Sequence, residues 1–337
     1  MVAANIFLLF FASLFVCYIL MPAVMRLNIL DRPNERKIHE NPTPKAGGLA
    51  VYFASLFALG VYYILSGFNI TSFKIIVLAF LMMSVGFIDD YKELRPKVKL
   101  LLQILLAIIT VYLGFYFQLL NIAAVDYLAT IIWIVGFVNA FNLLDGMDGL
   151  APGVFFISMV GFLVLLESSV FMAVIIAFLG AGAGFLYYNY PPASIFLGDT
   201  GSLLLGYLLA LLAVIITQTI SVNFLEKGYI VFFILFIPIF DTALTIVRRY
   251  IHEEPIFKPD RSHFYNLLQD LKGFTTMQVI YTIYLVNVIT VLLSLLVFRF
   301  STPVLLAVAL LFIGIVIYLV IKNNFLIVDS NLDDSNT

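Results

Sequence analysis

Charge is what this chain has little of. Only 11% of its 337 residues are Asp, Glu, Lys or Arg, against about 25% in a soluble domain. Hydrophobic residues make up 63%, and the mean hydropathy is +1.09. No water-soluble shape has interior enough to hide that much Phe, Leu, Ile and Val, so lipid must be the solvent. Cysteine is nearly absent: Cys17 stands alone in the first apolar run, so no disulfide can form within the chain and the redox compartment stays unread. The thiol–histidine spacing of a zinc site is missing, as is the GxxxxGK phosphate loop. There is no soluble domain and no tandem repeat. The net charge of −2 says little about partners, because its distribution matters more than its sum, and no nucleic-acid partner is expected.

What is present is a series of apolar runs. A spanning helix needs about 20 mainly apolar residues, and windows of that length predict eleven, near 3–25, 47–66, 71–88, 99–118, 124–141, 152–168, 170–188, 201–218, 228–248, 275–298 and 302–321. The first lacks a basic leader and a small-residue cleavage site, so it reads as a retained span. Gly180, Gly182 and Gly184 mark the seventh as a tightly packed interior helix. The expected fold is all-α: a polytopic membrane bundle of about 11 transmembrane helices, one domain over 1–328, with a disordered tail at 329–337 rich in Asp, Asn and Ser. With the N-terminus outside and the C-terminus inside, fifteen of the eighteen Lys and Arg fall on the inner side, leaving Lys74, Lys227 and Arg299 for the other. The loops dense in Asp, Asn, His and Gly fall on the same cytoplasmic face.

Five polar loops carry candidate chemistry. In DRPNERKIHENPTPKAGG, residues 31–48, Arg32, Arg36, Lys37, His39 and Lys45 form a cationic mouth suited to a phosphate headgroup, or simply a positive-inside anchor. In GFIDDYKELRPKVKL, 86–100, the adjacent Asp89 and Asp90 repel one another unless a cation offsets them. They are metal or metal–substrate ligands, or a solvated helix end balanced by Lys92, Arg95 and Lys97. In NAFNLLDGMDGLAPG, 139–153, Asn139, Asn142, Asp145 and Asp148 recur every three residues and would share one face of a helical turn, lining a hydrophilic cleft or a plain interhelical turn. YYNYPPASIFLGDTGS, 187–202, joins Asn189 and Phe196 to Asp199, an N-cap or a Mg²⁺ ligand; Phe196 stacks on a base or packs. In the last loop Asp241, Thr245, Arg248 and Arg249 follow helical spacing ahead of Asp260, Arg261 and His263, a set suited to a pyrophosphate, and His252 reads as a surface residue. Oxygen ligands for Mg²⁺ and cations for phosphates together serve phosphoryl transfer.

On NAFNLLDGMDGLA, FLGDTGS and GFIDDY, and on five motif loops in one order over nearly the whole chain, the sequence resembles the polyprenyl-phosphate N-acetylhexosamine-1-phosphate transferases. The resemblance implies a Mg²⁺-dependent membrane enzyme, with Mn²⁺ as a substitute. A polyprenyl (undecaprenyl) phosphate would attack the β-phosphorus of a cytosolic UDP-N-acetylhexosamine, giving the lipid-diphosphate-sugar that starts a cell-envelope glycan, and UMP. It further implies Asp199 at the metal and Asp89, Asp90 and Asp145 at the reacting centre. Asn142, Asp148, Asn189, Phe196, Arg261 and His263 would meet the nucleotide sugar, and Arg36, Lys37, His39 and Lys45 the lipid phosphate. The expected location is the bacterial cytoplasmic membrane, as a monomer or a homodimer. A phosphate monoester's second pKa is near 6, so its oxygen needs little help to ionise and the role of Asp89 as a base stays open. The muramoyl-pentapeptide branch carries a run of histidines in the last loop. Here DRSHFYNLL keeps only His263, which points to the UDP-GlcNAc branch, although Phe264, Tyr265 and Asn266 stand where that branch has a further histidine. The competing reading is a transporter or flippase of an anionic lipid-linked or nucleotide-sugar substrate, which would place its ionisable groups at mid-depth in broken helices. A CDP-alcohol phosphatidyltransferase would need one extended Asp-rich motif, whereas these aspartates are spread over three loops.

Overall fold

A computed structural model of the chain describes residues 2–27, 29–31, 42–120, 122–166, 168–255, 263–300 and 303–326. Among them are thirteen helices: α1 (Val2–Met25), α2 (Gly47–Ser66), α3 (Ile70–Lys92), α4 (Pro96–Tyr112), α5 (Ala123–Leu144), α6 (Leu150–Leu165), α7 (Ser169–Asn189), α8 (Gly198–Thr219), α9 (Phe224–Ile234), α10 (Phe236–Ile251), α11 (Phe264–Lys272), α12 (Thr276–Phe300) and α13 (Pro303–Lys322). Two short strands, β1 (Leu30–Asp31) and β2 (Thr43–Pro44), pair antiparallel, Leu30 opposite Pro44.

Each of the eleven apolar segments contains a helix, although the fourth ends at Tyr112, yet eleven crossings are not borne out. Seven helices are long and apolar enough to span a bilayer: the described part of α1 together with α2, α3, α5, α7, α8 and α12. An eighth crossing exists if α9 and α10 count as one span, but they are bent 85° from each other. At 17 and 16 residues, α4 and α6 fall short of the length a hydrocarbon core demands. The protein is a polytopic all-α membrane protein.

α8 is the axis of the bundle. Every residue from Thr200 to Thr217 is buried, as befits a helix apolar on all sides, and it packs against α2, α3, α5 and α6. α1, by contrast, exposes Phe7, Phe11, Phe15 and Ile19. Lipid gives helices no hydrophobic reason to associate, so small residues at close crossings hold them together. The expected tight packing of α7 is found: a Cβ on Gly180 or Gly184 would lie 2.2 Å from the Phe10 carbonyl oxygen or 2.6 Å from that of Leu14, both in α1.

The two ends of α8, about 30 Å apart for a helix of that length, meet different surroundings. At its C-terminal end lies the irregular stretch 113–120, where the Lys74 ammonium donates to the Leu113 carbonyl (3.2 Å) and Gln218 to Gly114 and Tyr116 (3.0 and 2.7 Å). Lys227 donates to Thr217 (2.6 Å), while buried Asp126 accepts from the Leu120 and Leu119 amides (3.2 and 3.4 Å). Irregular backbone in a bilayer must have its polar groups satisfied within the protein, and these contacts satisfy several of those in 113–120. The acidic loops gather at the N-terminal end.

Candidate active site

α3 runs out of the apolar zone at GFIDDYK, and Glu93 in a left-handed conformation ends it. Asp89 and Asp90, adjacent in sequence, point to different tasks. Asp90 is buried and accepts from the backbone N–H groups of Asp199 (3.1 Å) and Thr200 (2.8 Å) and from the Thr200 hydroxyl (2.5 Å). A carboxylate from α3 thus performs, through space, the capping that the first turn of α8 needs. Asp199 itself is no cap: α8 is preceded by Leu197, and no side chain of its own caps it. The approach of α3 to α8 requires Gly86, where a Cβ would fall 2.1 Å from the Asp199 carbonyl oxygen.

Asp89 uses one oxygen to accept from the Leu94 amide (2.7 Å). The other lies 2.8 Å from the Lys99 ammonium, which also donates to Asp199 Oδ2 at 2.9 Å. Asp199 Oδ1 accepts from the Asn142 amide (2.5 Å), and that amide also reaches the Ser202 hydroxyl (2.6 Å). Two carboxylates from different helices therefore face one cation. Lys92, Arg95 and Lys97, expected to balance the aspartate pair, are exposed; Lys99 and Lys45 do it instead, Lys45 standing 3.4 Å from Asp90. Lys45 is held there because residues 44–48 lie against the loop before α8: the Phe196 amide donates to Pro44 (2.8 Å) and the Gly47 amide to Phe196 (3.1 Å). The Phe196 side chain is half-buried.

The run Asn139, Asn142, Asp145, Asp148 does not share one helical face, because α5 stops at Leu144. Asn139 pairs with Gln103 of α4 (2.7 Å) and Asn142 turns to Asp199. Asp145 is the first residue past the helix. Burial, and then the carboxylates of Asp199, Asp90 and Asp148, hold the Asp145 carboxyl well above the usual aspartate range. Asp148 accepts from the Ala193 amide (2.9 Å). Asn189, buried at the end of α7, accepts from the Gly149 amide and donates to the Ile195 carbonyl, both at 2.9 Å. Asp148 and Asn189 thus fasten the turn at 145–149 to the loop at 190–196.

The third side of the site comes from α10 and α11. His263 Nδ1 lies 2.7 Å from Asp241 Oδ2, the other Asp241 oxygen accepts from the Phe264 amide (2.7 Å), and both side chains are buried. The imidazole stacks on Tyr265 at 5.6 Å, and the Tyr265 hydroxyl donates to Leu143 beside the acidic turn (3.3 Å). His252 is half-buried, its Nε2 3.0 Å from the Leu326 carbonyl oxygen, rather than a surface residue. Arg36, Lys37, His39 and Arg261, with Arg32, Asp260 and the tail 329–337, lie outside the described residues.

The glycosyl transferase family 4 model matches residues 72–217, which hold Asp89, Lys99, the acidic turn and Asp199. Relatives extend further. A Bacillus subtilis (strain 168) protein named probable undecaprenyl-phosphate N-acetylglucosaminyl 1-phosphate transferase is 34% identical over 305 residues, 85% of this chain and 83% of its own. The chain belongs to this family. An undecaprenyl-phosphate alpha-N-acetylglucosaminyl 1-phosphate transferase of Thermotoga maritima is 30% identical over 262 residues, covering 76% and 78%. A phospho-N-acetylmuramoyl-pentapeptide-transferase of Staphylococcus epidermidis is also 30% identical, over 315 residues covering 82% and 93%.

Lys99 was the residue that motif reading passed over. Its signal was available: Pro96 opens α4 directly after the end of α3, and a lysine one turn into a helix so joined faces back on the preceding acidic end. The pairing of Asp241 with His263 left no such signal, since 22 residues and a loop separate them.

Proposed function

We infer that this family member transfers N-acetylglucosamine 1-phosphate from UDP-N-acetylglucosamine to a polyprenyl phosphate, such as undecaprenyl phosphate, releasing UMP and starting a lipid-linked cell-envelope glycan. The observation that carries this is the convergence of Asp89 and Asp199 on one cation, at 2.8 and 2.9 Å from Lys99 Nζ, at the end of a membrane bundle. The single histidine of DRSHFYNLL and the two N-acetylglucosaminyl relatives favour this sugar over the muramoyl pentapeptide.

In this reaction an oxygen of the lipid phosphate forms a bond to the β-phosphorus, and the bond from that phosphorus to the bridging oxygen breaks. The electron pair leaves with UMP. Charge neutralisation and positioning are the main demands of phosphoryl transfer. Asp89 and Asp199 would hold the Mg²⁺, with Mn²⁺ as a substitute; oxygen donors from two carboxylates, completed by water and substrate phosphates, are that ion's usual set. When bound, the ion supplies neutralisation of the diphosphate. Lys99 and Lys45 add cations beside it; by the family resemblance Arg36, Lys37 and His39 would meet the lipid phosphate. Asp90 serves by holding Asp199 through α8. Asn142 orients Asp199, and Asp145 adds negative potential that favours the ion. The stapled loops carrying Asp148, Asn189 and Phe196 would border the nucleotide, together with His263 and, by the family resemblance, Arg261. The acidic pocket is assembled within one chain.

The pocket faces the cytoplasm of a bacterial cell, with the N-terminus outside and the C-terminus inside, in keeping with the bias of Lys and Arg. A carrier would gather ionisable groups at mid-depth in broken helices, whereas α8 is continuous and the carboxylates lie at its end. The test is purified protein with undecaprenyl phosphate, Mg²⁺ and a panel of UDP-sugars. UMP release should need the lipid phosphate and the divalent ion and be fastest with UDP-N-acetylglucosamine. Release that ignores either requirement would overturn the reading.

A further inference from the structure

Gly149, immediately after Asp148, is gripped through the peptide units on both of its sides. The residue is in the left-handed region, φ +75°, and its N–H donates to Asn189. Its carbonyl already accepts the first bond of α6, from the Gly153 amide at 3.1 Å. The same oxygen also accepts from the Tyr284 hydroxyl of α12 at 2.5 Å. Space for that ring exists because residue 153 is glycine: a Cβ there would lie 1.8 Å from the phenol oxygen and 2.0 Å from Cζ. One turn on, Asn287 of α12 donates to the Val154 carbonyl (3.2 Å), so the same helix face follows the start of α6.

We propose that Tyr284 is a positioning residue of the transfer reaction: its hydroxyl fixes the orientation of the Gly149 peptide and thereby places Asp145 and Asp148. This rests on the transferase reading above. The second bond to Gly149 is not needed to satisfy a buried acceptor, because α6 already supplies one. Losing it leaves no orphaned group and costs little stability. What it adds is direction, and misplacement by about 1 Å can cost 10²-fold in rate. A merely structural tyrosine would show the reverse, a loss of stability with turnover per folded molecule intact.

The experiment compares Tyr284→Phe with Tyr281→Phe in the full-length purified protein. Tyr281 also lies on α12, but its hydroxyl pairs with that of Tyr190, and both residues are exposed. Tyr284→Phe should lower kcat about tenfold, move the KM for UDP-N-acetylglucosamine far less, leave the melting temperature near wild type, and speed hydrogen exchange in the peptide 145–150. Tyr281→Phe should change none of these. Wild-type kcat in Tyr284→Phe, or slowed turnover with unchanged exchange at 145–150, would overturn the proposal. If the wild type itself releases no UMP, the transferase reading fails. Exchange then still judges the clamp: unchanged exchange removes it, faster exchange keeps it.

Discussion

The two ends of α8 both bury charge, and they spend it differently. At the far end Lys74, Lys227, Gln218 and Asp126 point at backbone groups of 113–120 and 217. Those partners are fixed in place by the chain, so the charges act as caps for irregular backbone. At the acidic end Asp199, Lys99, Asn142 and one oxygen of Asp89 point at one another's side chains, while the other Asp89 oxygen holds the Leu94 amide. Side chains can turn away when a better partner arrives, and a diphosphate with its metal is such a partner. Ionisable residues at membrane depth are functional by default; in this protein the charges at the far end hold backbone groups, whereas Asp89, Asp199 and Lys99 also hold one another.

Substitution is the sharpest way to break that distinction. Asp199→Asn removes the charge facing both Lys99 and the proposed metal position, and UMP release should fall at least about 10²–10³-fold, the range for losing one electrostatic group at a reacting centre. Asp89→Asn should do the same, with folded protein retained in the membrane in both cases. Turnover near wild type in either variant would remove that carboxylate from the site. Lys99→Met comes next, with turnover reduced about 10–100-fold. Its second readout separates it from a structural lysine: Mn²⁺ should bind the variant more tightly, because the ammonium no longer competes for Asp89 and Asp199. Unchanged Mn²⁺ affinity would mean that the ammonium and the ion do not share that position.

Asp126→Ala tests the other end. Two backbone amides lose a charged acceptor, at a cost of about 1.5–3 kcal/mol. Thermal melts should report it, while kcat per folded molecule stays at the wild-type value. A matching loss of kcat would couple the two ends and undo the contrast.

The same contrast explains how much could be read beforehand. Hydrophobic windows located every long helix within a few residues, because a bilayer demands apolar length and little else. They could not tell that 228–248 is bent, since hydropathy reports composition and not direction. The 85° break at Leu235 rests on tertiary partners: the Ser158 hydroxyl caps the Ile234 carbonyl (2.9 Å), Ser294 caps Ile230 (3.1 Å), and Pro238 lacks an N–H in the new helix. In the site, the motifs named Asp89, Asp145 and Asp199 as one set. Their division of labour was hidden, because Asp90 acts on Thr200, 110 residues away, and Asn189 acts on Gly149 from the end of another helix. Adjacent identical residues such as Asp89 and Asp90 look equivalent until their partners are known.

The smallest effect is one of pH, and it concerns Asp145. Burial and three neighbouring carboxylates raise its proton affinity in the folded protein. Between the ordinary aspartate value of 3.8 and that raised value, the folded state binds more proton than the unfolded one. By linkage, stability from this group is full below the window and is lost as pH rises through it. Asp145→Asn should therefore melt a few degrees higher than wild type at neutral pH in the absence of divalent ions, with the difference vanishing at acid pH. Saturating Mg²⁺ should narrow the gap from the wild-type side, because a cation nearby favours the ionised carboxyl. Turnover should follow the opposite course, somewhat lower in the variant and rising in the wild type as Asp145 ionises, along an acid limb that moves to lower pH with more Mg²⁺. A melting difference that persists unchanged from acid to neutral pH would show that Asp145 keeps an ordinary carboxyl. It would then stand apart from the charges at the head of α8, and the acidic end would hold one interacting carboxylate fewer than its loops suggest.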